Sequence, residues 1–188
     1  MKTKLIKFNE LNASNWANGK TYEYYIYPNN ADYQNKDFLF RISSATIDNE
    51  PSNFTNFIGY QRFLCMLDNS LLLKINNKEI KLEPYQLVEF KSEDSVISYT
   101  TGNDFNLMIK EDIKDYQVEI THGFFALEND FIIVYSLNNN EVFINDQAYL
   151  LEEKDCLIIE NIDNKSIDLI SGKDIILAQL NLAHHSFF

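Results

Sequence analysis

The sequence predicts an all-β protein built from two antiparallel, jelly-roll-like β-barrels with little helix. Many short β-prone runs are separated by Asn-rich turns, and no long segment shows the apolar period of a helix. A strand–turn–strand pattern also recurs about seventy residues later in the chain. The 188 residues, 45% of them hydrophobic, suffice for a substantial core. A single β-sandwich with chance internal similarity is the alternative fold.

The internal repeat rests on three matches in the same order. The matched pairs of segments are 71–83 with 140–152, 86–90 with 155–159, and 102–107 with 172–177. Two copies of one strand-rich unit are typical of a cupin-type double barrel, a bicupin. We therefore place an N-terminal lobe at 1–112 and a C-terminal lobe at 113–188, and residues 1–27 can pair into either lobe.

The chain before the first match alternates between predicted strands and polar loops. In chain order we expect a strand at 4–8, a loop at 12–21, a strand at 21–27 and a loop at 29–36. The run from Thr21 to Tyr27 is rich in tyrosine and stops at Pro28, which is typical of a strand end. Residues 111–117, between the two copies, are expected to form a short turn or linker.

The two arginines of the chain lie in consecutive predicted strands, at 40–45 and 62–67. Alternation along the first strand puts Arg41 and Ser43 on one face, and Arg62 lies among apolar neighbours in the second. A buried guanidinium needs an acceptor, because an unpaired buried charge is costly. The acceptor is either a ligand or a protein carboxylate such as Asp104, and the sequence leaves both open.

Polar side chains near these arginines complete a candidate binding site. One polar set, Trp16, Asn18, Thr21 and Glu23, lies where a loop runs into a strand. In another, Asp104, Asn106 and Met108 share one face of a predicted strand. Guanidinium, amide and hydroxyl groups suit the binding of a small carboxylate or amide in the mouth of a barrel. The predicted ligand-binding residues are Asn18, Thr21, Arg41, Ser43, Arg62, Phe90, Asp104, Asn106 and Met108. Phe90 and Met108 are assigned to the apolar wall.

The residues for covalent or metal chemistry are few. The three histidines, His122, His184 and His185, are dispersed, so we expect no metal site and no cofactor. There is no G-x-S-x-G elbow and no Gly-rich phosphate loop. Cys65 and Cys156 lie in apolar runs and are interpreted as reduced core residues.

Charge and hydropathy restrict the partners. The net charge of −12 argues against nucleic acid and anionic membranes. No apolar run approaches the length of a transmembrane helix, and the first residues lack a signal-peptide apolar region, so a cytoplasmic protein is expected. The expected partner is a small carboxylate or formyl-type ligand. The sequence leaves a homodimer open.

Four motifs occur in order in the first half of the chain. They are WANGKT at 16–21, FLFRISSA at 38–45, FTNFIGYQR at 54–62 and DFNLM at 104–108. Together they resemble the HutD/Ves family, whose members share W-x-N-G-rich-T, F-x-W-R-x-S-x-A, F-S-x-F-P-G-x-x-R and D-F-N-x-M motifs. The chain departs from that pattern in a glycine run reduced to Gly19, and in Phe40, Thr55 and Ile58 at the family's Trp, Ser and Pro. With the family's glycine run reduced to Gly19, we expect the close approach of this backbone segment to a ligand to be lost.

The resemblance implies a bicupin without a catalytic metal. HutD-like proteins are associated with histidine utilisation and are thought to bind a formylated or formiminated glutamate, or urocanate; Ves-like members are associated with environmental stress. Our main hypothesis is a HutD-like protein that binds a small carboxylate and modulates amino-acid catabolism. The alternatives are a metal-free enzyme acting on a small acid, with Asp104 or Glu89 as base, and an interaction protein with an acidic, Tyr-rich surface.

Overall fold

The computed structural model describes residues 1–182, so His184 and His185 lie outside the described residues. Residues 1–182 form seventeen strands and one 3-10 turn (Phe8–Glu10), which confirms an all-β protein with little helix. The strands are β1 (Lys2–Ile6), β2 (Ala13–Trp16), β3 (Gly19–Tyr27), β4 (Phe40–Ile47), β5 (Ser52–Asn53), β6 (Tyr60–Met66), β7 (Leu71–Ile75), β8 (Lys78–Leu82), β9 (Leu87–Lys91), β10 (Val96–Ser98), β11 (Gly102–Lys110), β12 (Asp115–Leu127), β13 (Phe131–Ser136), β14 (Asn140–Ile144), β15 (Gln147–Leu151), β16 (Cys156–Glu160) and β17 (Ile167–Asn181). In this described part, no helix is long and apolar enough to span a bilayer.

The chain divides into two compact units, one of residues 11–112 and one that joins Met1–Glu10 to the chain from Ile113 onward. The sequence left the place of the first residues open; β1 pairs antiparallel with β16 in the second unit. Asp155, which is buried, accepts hydrogen bonds from Lys7 Nζ at 2.7 Å and from the Phe8 backbone N–H at 3.0 Å. These bonds attach the segment after β1 to the loop before β16.

The 11–112 unit contains two sheets. One has the order β2-β3-β4-β11-β6-β9, and the other has the order β5-β10-β7-β8. Leu64 and Met66 of β6 pack against Leu71 and Leu73 of β7, and all four are fully or almost fully buried. The apolar faces of the two sheets therefore form the core of this unit. A second cluster, which contains Phe38, Phe57, Tyr60 and Met108, is also buried.

The other unit is one seven-stranded sheet, in the order β1-β16-β13-β17-β14-β15 with β12 paired to β17. Its core draws buried aliphatic residues from six strands, among them Ile132, Val134, Leu157 and Leu177. The long β17 contacts β12, β13 and β14, so it links both ends of the sheet.

The two units carry the predicted elements in the same order. Strands β7, β8 and β9 begin at 71, 78 and 87, and β14, β15 and β16 begin 69 residues later at 140, 147 and 156. In one unit, β6 precedes the β7–β8 hairpin and pairs with β9 and β11. In the other unit, β13 precedes the β14–β15 hairpin and pairs in the same way with β16 and β17. Asn76, Asn77 and Asn145 adopt positive φ in the hairpin turns, which Asn tolerates better than most residues.

Three expected boundaries were wrong. The first strand is Lys2–Ile6, two residues earlier than predicted, and the segment 12–21, expected as a loop, contains the β2–β3 hairpin. Gly19 makes this hairpin possible, because a Cβ there would collide with the backbone carbonyl of Thr46 on the paired strand β4. The linker expected at 111–117 is shorter, since β12 already begins at Asp115.

Candidate functional site

A cavity of about 550 Å³ lies within the 11–112 unit. Side chains from β3, β4, β6 and β11 line it, together with Ser14–Trp16 of β2 and the segments 32–34 and 52–55. This volume falls in the range of sites that bind small molecules. Its lining contains both arginines of the chain, Arg41 and Arg62.

Strand register brings the predicted polar residues onto one face of the sheet. Across β4, β11 and β6, Arg41 pairs with Met108 and Met108 pairs with Arg62. The next inward-facing row contains Ser43 and Asn106. Because neighbouring strands lie about 4.8 Å apart, the backbones of the two arginines are roughly 10 Å apart. The sheet therefore presents two guanidiniums separated by one strand.

Arg41 is already paired within the protein. Its Nε donates a hydrogen bond to Glu23 Oε2 at 2.6 Å, and its Nη1 donates one to Ser43 Oγ at 3.0 Å. The guanidinium carbon also lies 4.3 Å from the ring centroid of Tyr33, within cation–π distance. Arg41 is 7% exposed, so these contacts compensate a buried charge. The internal carboxylate partner of this arginine is Glu23, and not Asp104, the example that the sequence offers.

Arg62 is buried without a comparable partner. Its Nη2 donates to the Thr55 carbonyl oxygen and to Met108 Sδ, each at 3.4 Å; the first contact is long for an N–H···O bond, and the thioether sulfur of the second is a weak acceptor. Within residues 1–182, Arg62 Nε has no hydrogen-bond partner and no ion pair joins this side chain to a carboxylate. Arg62 is 3% exposed, and burial lowers the pKa of its guanidinium from 12.5 to about 10. The side chain is therefore still a cation at neutral pH.

Asp104 also lies in the cavity lining and is 2% exposed. Its Oδ1 accepts a hydrogen bond from the Ala45 backbone N–H at 2.7 Å. Burial raises the pKa of Asp104 from 3.8 to about 7, although this N–H and the charges of Arg62 and Arg41 oppose the shift. Asp104 is therefore only partly ionised near pH 7, so its charge offsets that of Arg62 only in part.

Six of the nine predicted site residues line the cavity. They are Thr21, Arg41, Ser43, Arg62, Asp104 and Asn106. The Asn106 side-chain oxygen is buried with no hydrogen-bond partner among the described residues, so it can bind a donor in the cavity.

The other three lie outside the lining. The Asn18 carbonyl accepts from the Asp48 N–H at 2.7 Å and holds the hairpin turn. Phe90 and Met108 contact Arg62 from outside the cavity, with the Phe90 ring centroid 5.9 Å from the guanidinium carbon. They support Arg62 instead of forming the predicted wall. Glu89 is exposed and does not line the cavity.

Glu23 is the functional position that the predicted set of site residues omits. Strict alternation puts Glu23, Tyr25 and Tyr27 on one strand face. A β-bulge between Glu23 and Tyr25 breaks this alternation, so Tyr25 and Tyr27 stack on Phe40 with centroids 5.8 and 5.5 Å apart. Glu23 alone of the three lines the cavity. No residue type in this run marks the bulge. The signal for Glu23 is an acidic side chain in an aromatic strand, which groups it with the polar residues Trp16, Asn18 and Thr21.

Neither cysteine is placed for nucleophilic chemistry. Cys65 and Cys156 are free and buried, as predicted. Burial raises the pKa of Cys65 to about 12 and raises that of Cys156 further, so both thiols are protonated at neutral pH. In the part of the chain that the structure describes, no group of three or more His, Cys, Asp or Glu side chains could hold a metal ion.

A family model for HutD matches residues 8–177. The chain belongs to the HutD family. No curated protein matches the sequence. The match includes all four motifs, and these motifs contribute Trp16 and Thr21, Arg41 and Ser43, Arg62, and Asp104 to the cavity lining. The HutD motifs of this chain thus converge on one site.

Solved structures share this fold. HutD from Pseudomonas fluorescens SBW25, in a formate condition, is 22% identical with a TM-score of 0.80, over 96% of this chain and 98% of that one. A conserved protein of unknown function from Pseudomonas aeruginosa PAO1 is 18% identical with a TM-score of 0.83, over 97% and 100% of the two chains. A cupin 2 conserved barrel domain protein from Leptotrichia buccalis is 10% identical with a TM-score of 0.58, over 95% and 96%. These similarities establish a cupin-type fold.

Proposed function

We propose that this HutD-family protein binds a small carboxylate or formyl-type molecule in the cavity of the 11–112 unit, with Arg62 as the anchor for the anionic group. The observation that carries the proposal is a buried guanidinium in a cavity, with no ion pair to a carboxylate of residues 1–182. Keeping such a charge buried is unfavourable unless something compensates it. A ligand carboxylate that accepts hydrogen bonds from Arg62 Nε and Nη2 supplies that compensation.

The rest of the lining suits the orientation of such a ligand. Asn106 and Ser43 form one row of the sheet between the strands that carry the two arginines. The Asn106 amide has an unused oxygen, and the Thr21 hydroxyl is a further candidate hydrogen-bonding group. Membership of the HutD family supports a role in the regulation of histidine or other amino-acid catabolism.

A thermal-shift screen at pH 7 with formate, formylglutamate, formiminoglutamate and urocanate tests the binding role. A ligand that binds only the folded state raises the melting temperature in proportion to ln(1 + [L]/Kd). Arg62→Lys keeps the charge but loses the planar fork, so its shift should be smaller; Arg62→Met should show none. Lys81→Met, which removes an exposed cation on β8 of the same unit, is the matched control and should behave like the wild type. The proposal fails if no millimolar acid raises the wild-type melting temperature, or if Arg62→Met retains the shift.

A metal-free enzyme acting on a small acid is the second candidate, because of Asp104. Burial brings the pKa of Asp104 to about 7, the range suited to a general base at neutral pH. Asp104 and Arg62 line the same cavity, so a bound acid would contact both. Turnover of any of the four compounds that is lost in Asp104→Asn would favour this role. Binding without turnover, detected by product analysis after long incubation, would reject it.

A further inference from the structure

The cavity contains charges of both signs, and their pairing determines which ligands it accepts. Its lining includes two guanidiniums, Arg41 and Arg62, and three carboxyl groups, Glu23, Asp32 and Asp104. Arg41 is paired with Glu23 at 2.6 Å, whereas Arg62 forms no ion pair with any residue from 1 to 182. Among the described residues, Arg62 is therefore the guanidinium of this lining that has no ion-pair partner.

We infer that Glu23 makes this site selective for ligands with a single negative charge, in which the anionic group binds Arg62 and a neutral, hydrogen-bond-donating group faces Glu23. This inference rests on the proposed binding function and narrows its ligand class. A second carboxylate on the ligand would meet Glu23 with no free cation beside it. Like charges placed together in this way reduce affinity and exclude the wrong partner.

The position of Glu23 is the product of a specific backbone feature. The bulge after Glu23 turns Tyr25 and Tyr27 toward Phe40 and leaves Glu23 on the cavity side of β3. Bulges re-aim side chains in this manner next to functional sites. Only the Oε2 atom of Glu23 contacts Arg41. Its side chain is 42% exposed, so Oε1 can accept a hydrogen bond from a ligand.

The two ends of the site are far enough apart for a ligand with two functional groups. Glu23 lies on β3 and Arg62 on β6, with β4 and β11 between them. Three strand spacings separate these backbones by roughly 14 Å, and both side chains line the same cavity. A cavity of about 550 Å³ is also much larger than formate requires. The geometry thus fits a short chain with a carboxylate at one end and an amide or similar donor at the other.

Glutarate and its monoamide, glutaramate, form a matched pair of probes because they share length and shape but differ by one negative charge. Titration calorimetry at pH 7 and constant ionic strength should show glutaramate binding the wild type at least about tenfold more tightly than glutarate. Glu23→Gln removes the repelling charge and frees Arg41 as a second cation. That variant should therefore bind glutarate more tightly than the wild type does, a gain that misfolding cannot produce. Glu79→Gln, an exposed charge change on β8, should leave the wild-type ratio unchanged.

The outcomes separate the two proposals. If the wild type binds glutarate as tightly as glutaramate, or if Glu23→Gln keeps the full discrimination, the selectivity role of Glu23 is overturned while carboxylate binding stands. If neither probe binds the wild type but formate does and Arg62→Met abolishes it, the two-ended ligand is rejected and the anchor stands. If no carboxylate binds at all, both proposals fall.

Discussion

Replacing Arg62 with Met should stabilise the protein and at the same time abolish carboxylate binding. Burial lowers the pKa of Arg62 from 12.5 to about 10. This pKa shift means that folding disfavours the charged form by roughly 3 kcal/mol. At pH 7 the full penalty applies, because Arg62 is charged in both the folded and the unfolded chain. This penalty is relieved only as the pH rises through 10. Met fits the apolar surroundings that Phe54, Phe90 and Met108 provide.

The net gain is smaller than the full penalty. Arg62→Met also removes the long hydrogen bond to the Thr55 carbonyl and the cation–π contacts, so we expect a stabilisation of roughly 1–2 kcal/mol. Urea unfolding at pH 7, followed by circular dichroism, measures this difference. Arg41→Met is the matched comparison and should destabilise the protein, because it leaves Glu23 without its partner. An Arg62→Met variant that unfolds at lower urea concentration than the wild type would refute the view that this charge is kept for a ligand.

Two further predictions concern pH and backbone packing. The pKa of Asp104 is about 7 in the folded chain and 3.8 in the unfolded chain, so the folded chain binds this proton more tightly. The stability gained from protonated Asp104 is therefore complete below pH 3.8 and is lost as the pH rises to 7. In urea unfolding, this pH dependence amounts to roughly 2–3 kcal/mol between pH 5 and pH 8, and Asp104→Asn should remove it. If stability falls with pH equally in the variant and the wild type, this assignment is wrong. Gly19→Ala should destabilise the protein by about 1–3 kcal/mol, because the new Cβ meets the Thr46 carbonyl. Gly172→Ala, whose Cβ would enter open space, should be nearly neutral, and equal effects of the two changes would reject this explanation.

The pairing of the two arginines shows where sequence reasoning succeeds and where it stops. Alternation along β4, β6 and β11 correctly placed Arg41, Arg62, Asp104 and Asn106 on one face, because side-chain direction in a strand has a strict period of two. Strict alternation does not hold along β3. One inserted residue at the bulge reverses the face of every later side chain, and its position depends on packing against Phe40, which is distant in sequence.

The sequence left open whether the arginines meet a ligand or an internal carboxylate such as Asp104, and the reason is related. Asp104 and the arginines lie in the same cavity, but Asp104 Oδ1 binds the Ala45 backbone and Arg41 binds Glu23. A sequence shows which residues share a face, whereas ion pairing depends on distances of a few ångströms and on competing hydrogen bonds. The motif residue Gly19 also depends on tertiary contacts. Only glycine fits there, because the backbone of β4 lies where a Cβ would be.

The sequence by itself determined the strand-rich class, the repeated hairpins and the HutD motifs, because these depend on local periodicity, turn chemistry and residue identity. Only the tertiary structure decided which buried arginine is paired and which one is open to a ligand. That distinction depends on the bulge that brings Glu23 to Arg41, and on Arg62 forming no ion pair with a carboxylate of the described residues.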